Sequence, residues 1–150
     1  ISKHCSTGEA LRIAKVYLLK WHDEGQLPFE TLVRHVPHAD AMVRRCEDWL
    51  RQHYREPEAV SGAVTQAGAA ERTLKRRFKA ATGTTLMDYV QNLRIEEAKR
   101  LLESSQTPFD TVAVEVGYEN PGFFRRLFKR RTGLTPSNYR RMFQSYRATI

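Results

Sequence analysis

Arg72, Lys75, Arg76 and Lys79 stand at i, i+3, i+4 and i+7, so a helix through them carries one continuous cationic stripe. The chemistry open to such a stripe is recognition of a polyanion. An arginine fork can bond guanine O6 and N7 together, and a lysine brings a point charge to phosphate or guanine. Arg125, Arg126 and Lys129 repeat the pattern further along, and Asn120 just ahead of them can cap a helix and offer an amide to a base or phosphate. Thr84, Thr85, Thr135 and Ser137 follow the two stripes and could bond phosphate, although capping the next helix is an equal claim on these side chains. His4 beside Cys5 is the one pair that suggests a nucleophile and base, but adjacent residues need not face each other and no third group completes a site. No catalytic, cofactor or metal site is expected.

The elements that must position these residues come from a duplication. Leu74 to Tyr89, LKRRFKAATGTTLMDY, returns as Phe124 to Tyr139, FRRLFKRRTGLTPSNY. Without a gap, Arg76, Phe78, Lys79, Thr82, Gly83, Thr85 and Tyr89 fall on Arg126, Phe128, Lys129, Thr132, Gly133, Thr135 and Tyr139. Upstream, Ala63 to Gly68 resembles Val112 to Gly117. Each copy reads as a short helix, a Gly turn and a second, basic helix, and two copies are too few for a stacked solenoid.

Composition bounds the class. The chain has 150 residues, 41% of them apolar, and no apolar run approaches the ~18 residues that span a bilayer. The net charge of +8 is unevenly placed: residues 1–36 hold five basic and four acidic residues, and no Asp or Glu follows Glu119. Clustering of Lys and Arg in both copies of a repeat points to a polyanion partner rather than a solvated surface. Cys5 and Cys46 give no disulfide framework, which fits a reducing compartment, and Cys46 reads as a small buried hydrophobe. The chain opens on Ile1 without a signal-peptide pattern and reads as a piece of a longer protein.

In chain order, the spacing predicts amphipathic helices over 9–21 and 39–54, the second with Met42, Val43, Cys46, Trp49 and Leu50 inward and Arg44, Arg45, Glu47 and Arg51 outward. Residues 27–38, bracketed by Pro28 and Pro37, read as a linker. A short helix from about 58 to 67 ends at Gly68, and the first basic helix runs from about 70 to 82 with Leu74, Phe78 and Ala81 inward. A long helix from about 86 to 103 spans roughly 27 Å, with Tyr89, Val90, Leu93, Ala98, Leu101 and Leu102 as its apolar side. Helices from about 107 to 116, 121 to 132 and 136 to 143 complete an all-helical chain, with Phe124, Phe128 and Leu127 inward.

With these residues in place, the chain resembles the DNA-binding domain of AraC/XylS-type transcription regulators. The resemblance covers about 39–143 and rests on LRIEEAKRLL from Leu93 to Leu102, on Thr111 to Gly117, and on FFRRLFKRRTGLTPSNYRR from Phe123 to Arg141. It implies two homeodomain-like helix-turn-helix subdomains, about 39–85 and 107–143, joined by a linker helix over 86–103. It further implies two reading helices in successive major-groove segments, with Arg72, Lys75, Arg76, Asn120, Arg125 and Arg126 as base readers. Ala70 stands where the family often has a Ser cap, Leu86 where it has Pro, and Ala63 where it has a larger aliphatic, so a looser first subdomain is expected. Residues 1–36 are similar to the tail of the amidotransferase-like sensor domain of GlxA-like members. The implied partner is double-stranded DNA in a bacterial cytoplasm, with RNA polymerase as a further candidate and an unknown effector bound by an upstream domain.

Two other classes stay open on the residues alone: a nonspecific nucleic-acid coat, and a non-catalytic fragment of an amidotransferase-like enzyme. Salt dependence cannot separate specific from nonspecific binding, because phosphate contacts set the slope in either case. Discrimination between bases can.

Overall fold

The structure, a computed structural model, describes residues 38–149, with side chains as far as Gln144. The helix expected over 9–21, the linker before Pro37, the His4–Cys5 pair and the sensor-domain tail all lie outside the described residues. Among the described residues the secondary structure is entirely helical, in seven helices: α1 (Ala41–His53), α2 (Ala59–Ala67), α3 (Glu71–Thr82), α4 (Leu86–Ser104), α5 (Phe109–Glu115), α6 (Pro121–Thr132) and α7 (Pro136–Thr149).

Two hydrophobic clusters form, and they share no residue. The first gathers Val43, Cys46 and Leu50 of α1, Ala59 and Ala63 of α2, Leu74 and Phe78 of α3, and Leu86, Tyr89, Val90 and Leu93 of α4. The second takes Ile95, Ala98 and Leu102 from the other half of α4, with Val112 and Ala113 of α5, Phe124, Leu127 and Phe128 of α6, and Tyr139 of α7. Helix α4 is thus a wall of both cores, not a spacer between them. Its 19 residues contain no Gly or Pro, which lets it run unbroken through the boundary.

That double duty explains a residue pattern the periodicity did not reveal. A helix packed on one side shows one apolar stripe, but α4 changes its buried side halfway along and buries Asn92, Arg94, Glu96 and Lys99 as well. Each of these four has a polar partner inside. Lys99 Nζ donates to Glu96 Oε1 at 2.9 Å, and the Arg94 guanidinium donates to the carbonyls of Tyr54 and Glu56 at 2.7 Å each. Burial raises the Glu96 carboxyl to about 7, although Lys99 opposes the rise. The last turn of α4 is closed by α7: Gln144 Nε2 donates to the Leu102 and Ser105 carbonyls at 3.0 Å, and Tyr139 donates its hydroxyl to Glu103 at 2.8 Å.

In α1 the structure corrects one reading. Glu47 is not outward but buried, held by His38 Nε2 at 2.7 Å from its Oε1. A carboxylate read from periodicity alone goes to solvent; a partner nine residues upstream made the inward position tenable. Small residues at Gly62 and Ala63 let α1 approach α2, and Trp49 fills the space. A Cβ on Gly62 would meet the Trp49 ring at 2.5 Å. Leu86, in place of the family's Pro, is 1% exposed and anchors the start of α4 in the first core.

Candidate nucleic-acid interface

The duplicated residues build the same turn twice. Gly83 and Gly133 take the left-handed conformation, φ 77° and 81°, and their N–H groups reach the Lys79 and Lys129 carbonyls at 2.9 and 2.8 Å. Thr82 and Thr132 donate back to the carbonyls of Phe78 and Phe128 at 2.8 and 2.7 Å, and accept from the N–H of Thr84 and Leu134. Thr85 and Thr135 cap the next helices by accepting from Asp88 and Asn138 N–H at 3.0 and 3.1 Å. Tyr89 and Tyr139 then set their rings edge-on to Phe78 and Phe128, at 5.2 and 5.5 Å. Five of the seven repeated identities therefore hold a frame. Thr85 and Thr135 are occupied as caps and Thr82 and Thr132 as turn locks, Thr84 is half-buried, and Ser137 is exposed on the first turn of α7.

What the frame presents is cationic. Arg72, Lys75, Arg76 and Lys79 are all exposed on α3, opposite the buried Leu74 and Phe78. Their surroundings differ. Lys75 lies 3.5 Å from Glu71 in a pair with both side chains well exposed, a tether worth little in water. Lys79 Nζ donates to the Gly83 carbonyl at 2.8 Å, at the far end of the helix. Arg72 and Arg76 have no bonded partner among the described residues.

On α6, Asn120, Arg125, Arg126 and Lys129 are likewise exposed. Asn120 caps the helix, its Oδ1 accepting from Phe123 N–H at 3.0 Å, and its NH2 group has no bonded partner among the described residues. Arg125 is tied back: it donates to Asp110 at 3.0 Å and lies 5.4 Å from the Phe109 ring centre. Arg126 folds over the first turn. A Cβ on Gly122 would stand 3.7 Å from its Nη1 and 3.2 Å from Asn120 Oδ1, so the glycine that interrupts the stripe also makes room at the helix start. Arg126 and Lys129 have no ion pair among the described residues.

Three arginines were not legible as site residues. Arg77 donates through Nε and Nη2 to both oxygens of Asp40, the cap of α1, at 2.9 and 2.8 Å. Its hydrogen bonds to Asp40 hold that carboxyl below the usual carboxylate range. Arg94, bonded to the loop after α1, also stacks over Tyr118 of the second half at 4.7 Å. Gly117 adopts φ 115° beside it, where a Cβ would approach the Arg55 carbonyl to 2.9 Å and the Arg94 guanidinium to 3.0 Å. Arg131 reaches from the end of α6 to Asp88, Gln91 and Asn92 of α4. The one sequence signal for it was the repeat itself: its counterpart is Ala81. Arg77 carries the same signal, since its counterpart is Leu127, whereas Arg94 lies outside the aligned copies.

The Cys46 thiol is buried and pushed up to about 12 by desolvation, leaving it un-ionised and inert near neutral pH. Among the described residues no group of three His, Cys, Asp or Glu side chains is placed to hold a metal, and no helix is long and apolar enough to cross a membrane.

A pair of helix-turn-helix units on one shared helix, each turning a cationic helix outward, is the architecture of a double-headed DNA-binding domain. The family model for the helix-turn-helix domain matches residues 63–142, and the chain belongs to this family, in its AraC type. The transcriptional activator RhaR of Escherichia coli strain K12 is 32% identical over 93 residues, covering 62% of this chain and 33% of that protein. The chain thus spans about a third of the length of the curated relatives it matches. Among solved structures, the DNA-binding domain of AdpA, a global transcriptional factor, in complex with a target DNA is 29% identical with a TM-score of 0.68, over 73% of this chain and 98% of that one. The C-terminal domain of AraT, a response regulator from Geobacillus stearothermophilus, is 26% identical with a TM-score of 0.65, over 68% of this chain and 85% of that one.

Proposed function

We propose that the chain is the DNA-binding part of a transcription regulator and reads two successive major-groove segments of one duplex face with α3 and α6. The observation that carries this reading is the equivalent placement of Arg76 and Arg126, each exposed one turn before the closing glycine's lysine and without an ion pair among the described residues. Arg72 and Lys75 join Arg76 in the first element, and Asn120 and Arg125 join Arg126 in the second. Arg125 must leave Asp110 to do so, an exchange that an exposed pair permits at small cost. Lys79 and Lys129, at the far ends of the two helices, serve phosphates, and Thr84, Thr85, Thr135 and Ser137 with the neighbouring backbone amides offer further phosphate contacts. The site of action is the bacterial cytoplasm, and effector binding belongs to a separate, upstream domain.

Selection from random duplexes tests the reading. It should enrich one bipartite sequence, and point changes in either half-element should each weaken binding by about 1–3 kcal/mol per lost bidentate contact. Equal affinity for all sequences would leave a nonspecific coat as the function.

A further inference from the structure

We propose that Arg131 is a positioning residue that fixes the separation and phase of the two readers, so that the spacing between half-elements is itself part of the specificity; the proposal rests on the bipartite reading above. Arg131 comes five residues after Arg126 and so stands about 140° around α6 from it, away from the stripe. Its Nη2 donates to Asp88 Oδ1 at 2.9 Å and to Gln91 Oε1 at 2.6 Å, and its Nη1 to Asn92 Oδ1. These acceptors sit on the half of α4 whose apolar side belongs to the first core, whereas α6 belongs to the second. The guanidinium therefore ties the second reader to the first subdomain across the boundary between cores that share no residue. Arg94, near the midpoint of α4, braces the same boundary by bonding the loop after α1 and stacking on Tyr118. A bend of α4 at its midpoint works against both ties. The first copy has no such arm, since Ala81 at the matching position packs against its own core.

The brace is polar and partly open, with Arg131 at 22% and Asp88 at 49% side-chain exposure, so it can be removed without opening either core. Adding or deleting one base pair between half-elements moves one reader by about 3.4 Å and about 34° around the duplex. The parent chain should lose at least about tenfold in affinity on either change, about 1.4 kcal/mol. Arg131→Ala and Asp88→Ala should flatten that profile to within about threefold while leaving binding to an isolated second element unchanged. Arg131→Lys should fall between, because one ammonium reaches Asp88 but cannot fork across three acceptors. Independently of DNA, spin labels at Lys75→Cys and Lys129→Cys in a Cys5→Ser chain should give one narrow distance in the parent and a broadened one in Arg131→Ala. An unchanged distance distribution, or a uniform loss of affinity at every spacing and on the isolated element, overturns the role. If the parent shows no bipartite preference, the reading of two groove segments fails, and the label distances still decide whether Arg131 is a brace.

Discussion

Arg76 and Arg126 occupy one place in two copies of a turn, yet they face different neighbours, so their removal should be felt at different base positions. Arg76→Ala and Arg126→Ala should each relax discrimination at one position, by about 1–3 kcal/mol, with helix content unchanged, as read by binding selection and circular dichroism. Lys129→Ala should instead weaken binding evenly on all sequences and lower the slope of log affinity against log salt by about 0.9, as read by salt titration. Uniform weakening by both arginine variants would demote those residues to phosphate contacts. The stripe was readable because a repeat displays which positions keep charge while their neighbours keep shape. Arg131, Arg94 and Arg77 were not, because an arginine that serves a remote carbonyl or carboxylate has the same local pattern as one that serves solvent.

At the scale of helices, the two copies differ in how they begin. Asn120 caps α6, whereas Ala70, in the extended conformation a cap requires, has only a methyl group and offers α3 no acceptor. Ala70→Ser should supply the missing acceptor and stabilise the chain by about 0.5–2 kcal/mol in urea denaturation. Helix α4 holds the other testable feature. With its folded value near 7 against an ordinary carboxylate value, Glu96 binds its proton more tightly in the folded chain. Its contribution to stability is complete below the ordinary carboxylate range and is lost as the pH rises to about 7. Between pH 5 and pH 8 the parent should therefore lose stability that Glu96→Met/Lys99→Met does not lose, and at pH 8 the double variant should match or exceed it. Equal pH slopes in the two chains would contradict this. Helix positions followed from apolar period and from Gly and Pro punctuation, with ends within a residue or two except in α7, which runs on to Thr149 where the sequence pattern ended it near 143. The burial of Glu47, Asn92, Arg94, Glu96 and Lys99 did not follow, because polar residues go inside only when partners elsewhere in the chain meet them.

Across the whole molecule, a single helix sets how far apart two otherwise separate cores stand. At 1.5 Å per residue α4 is about 28 Å long, somewhat less than one turn of duplex, so the proposed reading of two groove segments requires side-chain reach or bending of the DNA toward the protein to make up the rest. That both subdomains use the helix as a wall was hidden from the sequence, since the change of buried side at Ile95 looks like a weak single stripe. On the proposed function, the two readers engage one duplex face at a fixed interval. Inserting about half a helical turn, roughly five base pairs, between the selected half-elements tests it most directly, because this moves one element to the opposite face. Footprinting should then show protection of only one half-element and an affinity close to that of a single element. A footprint and affinity unchanged by the insertion would contradict the account.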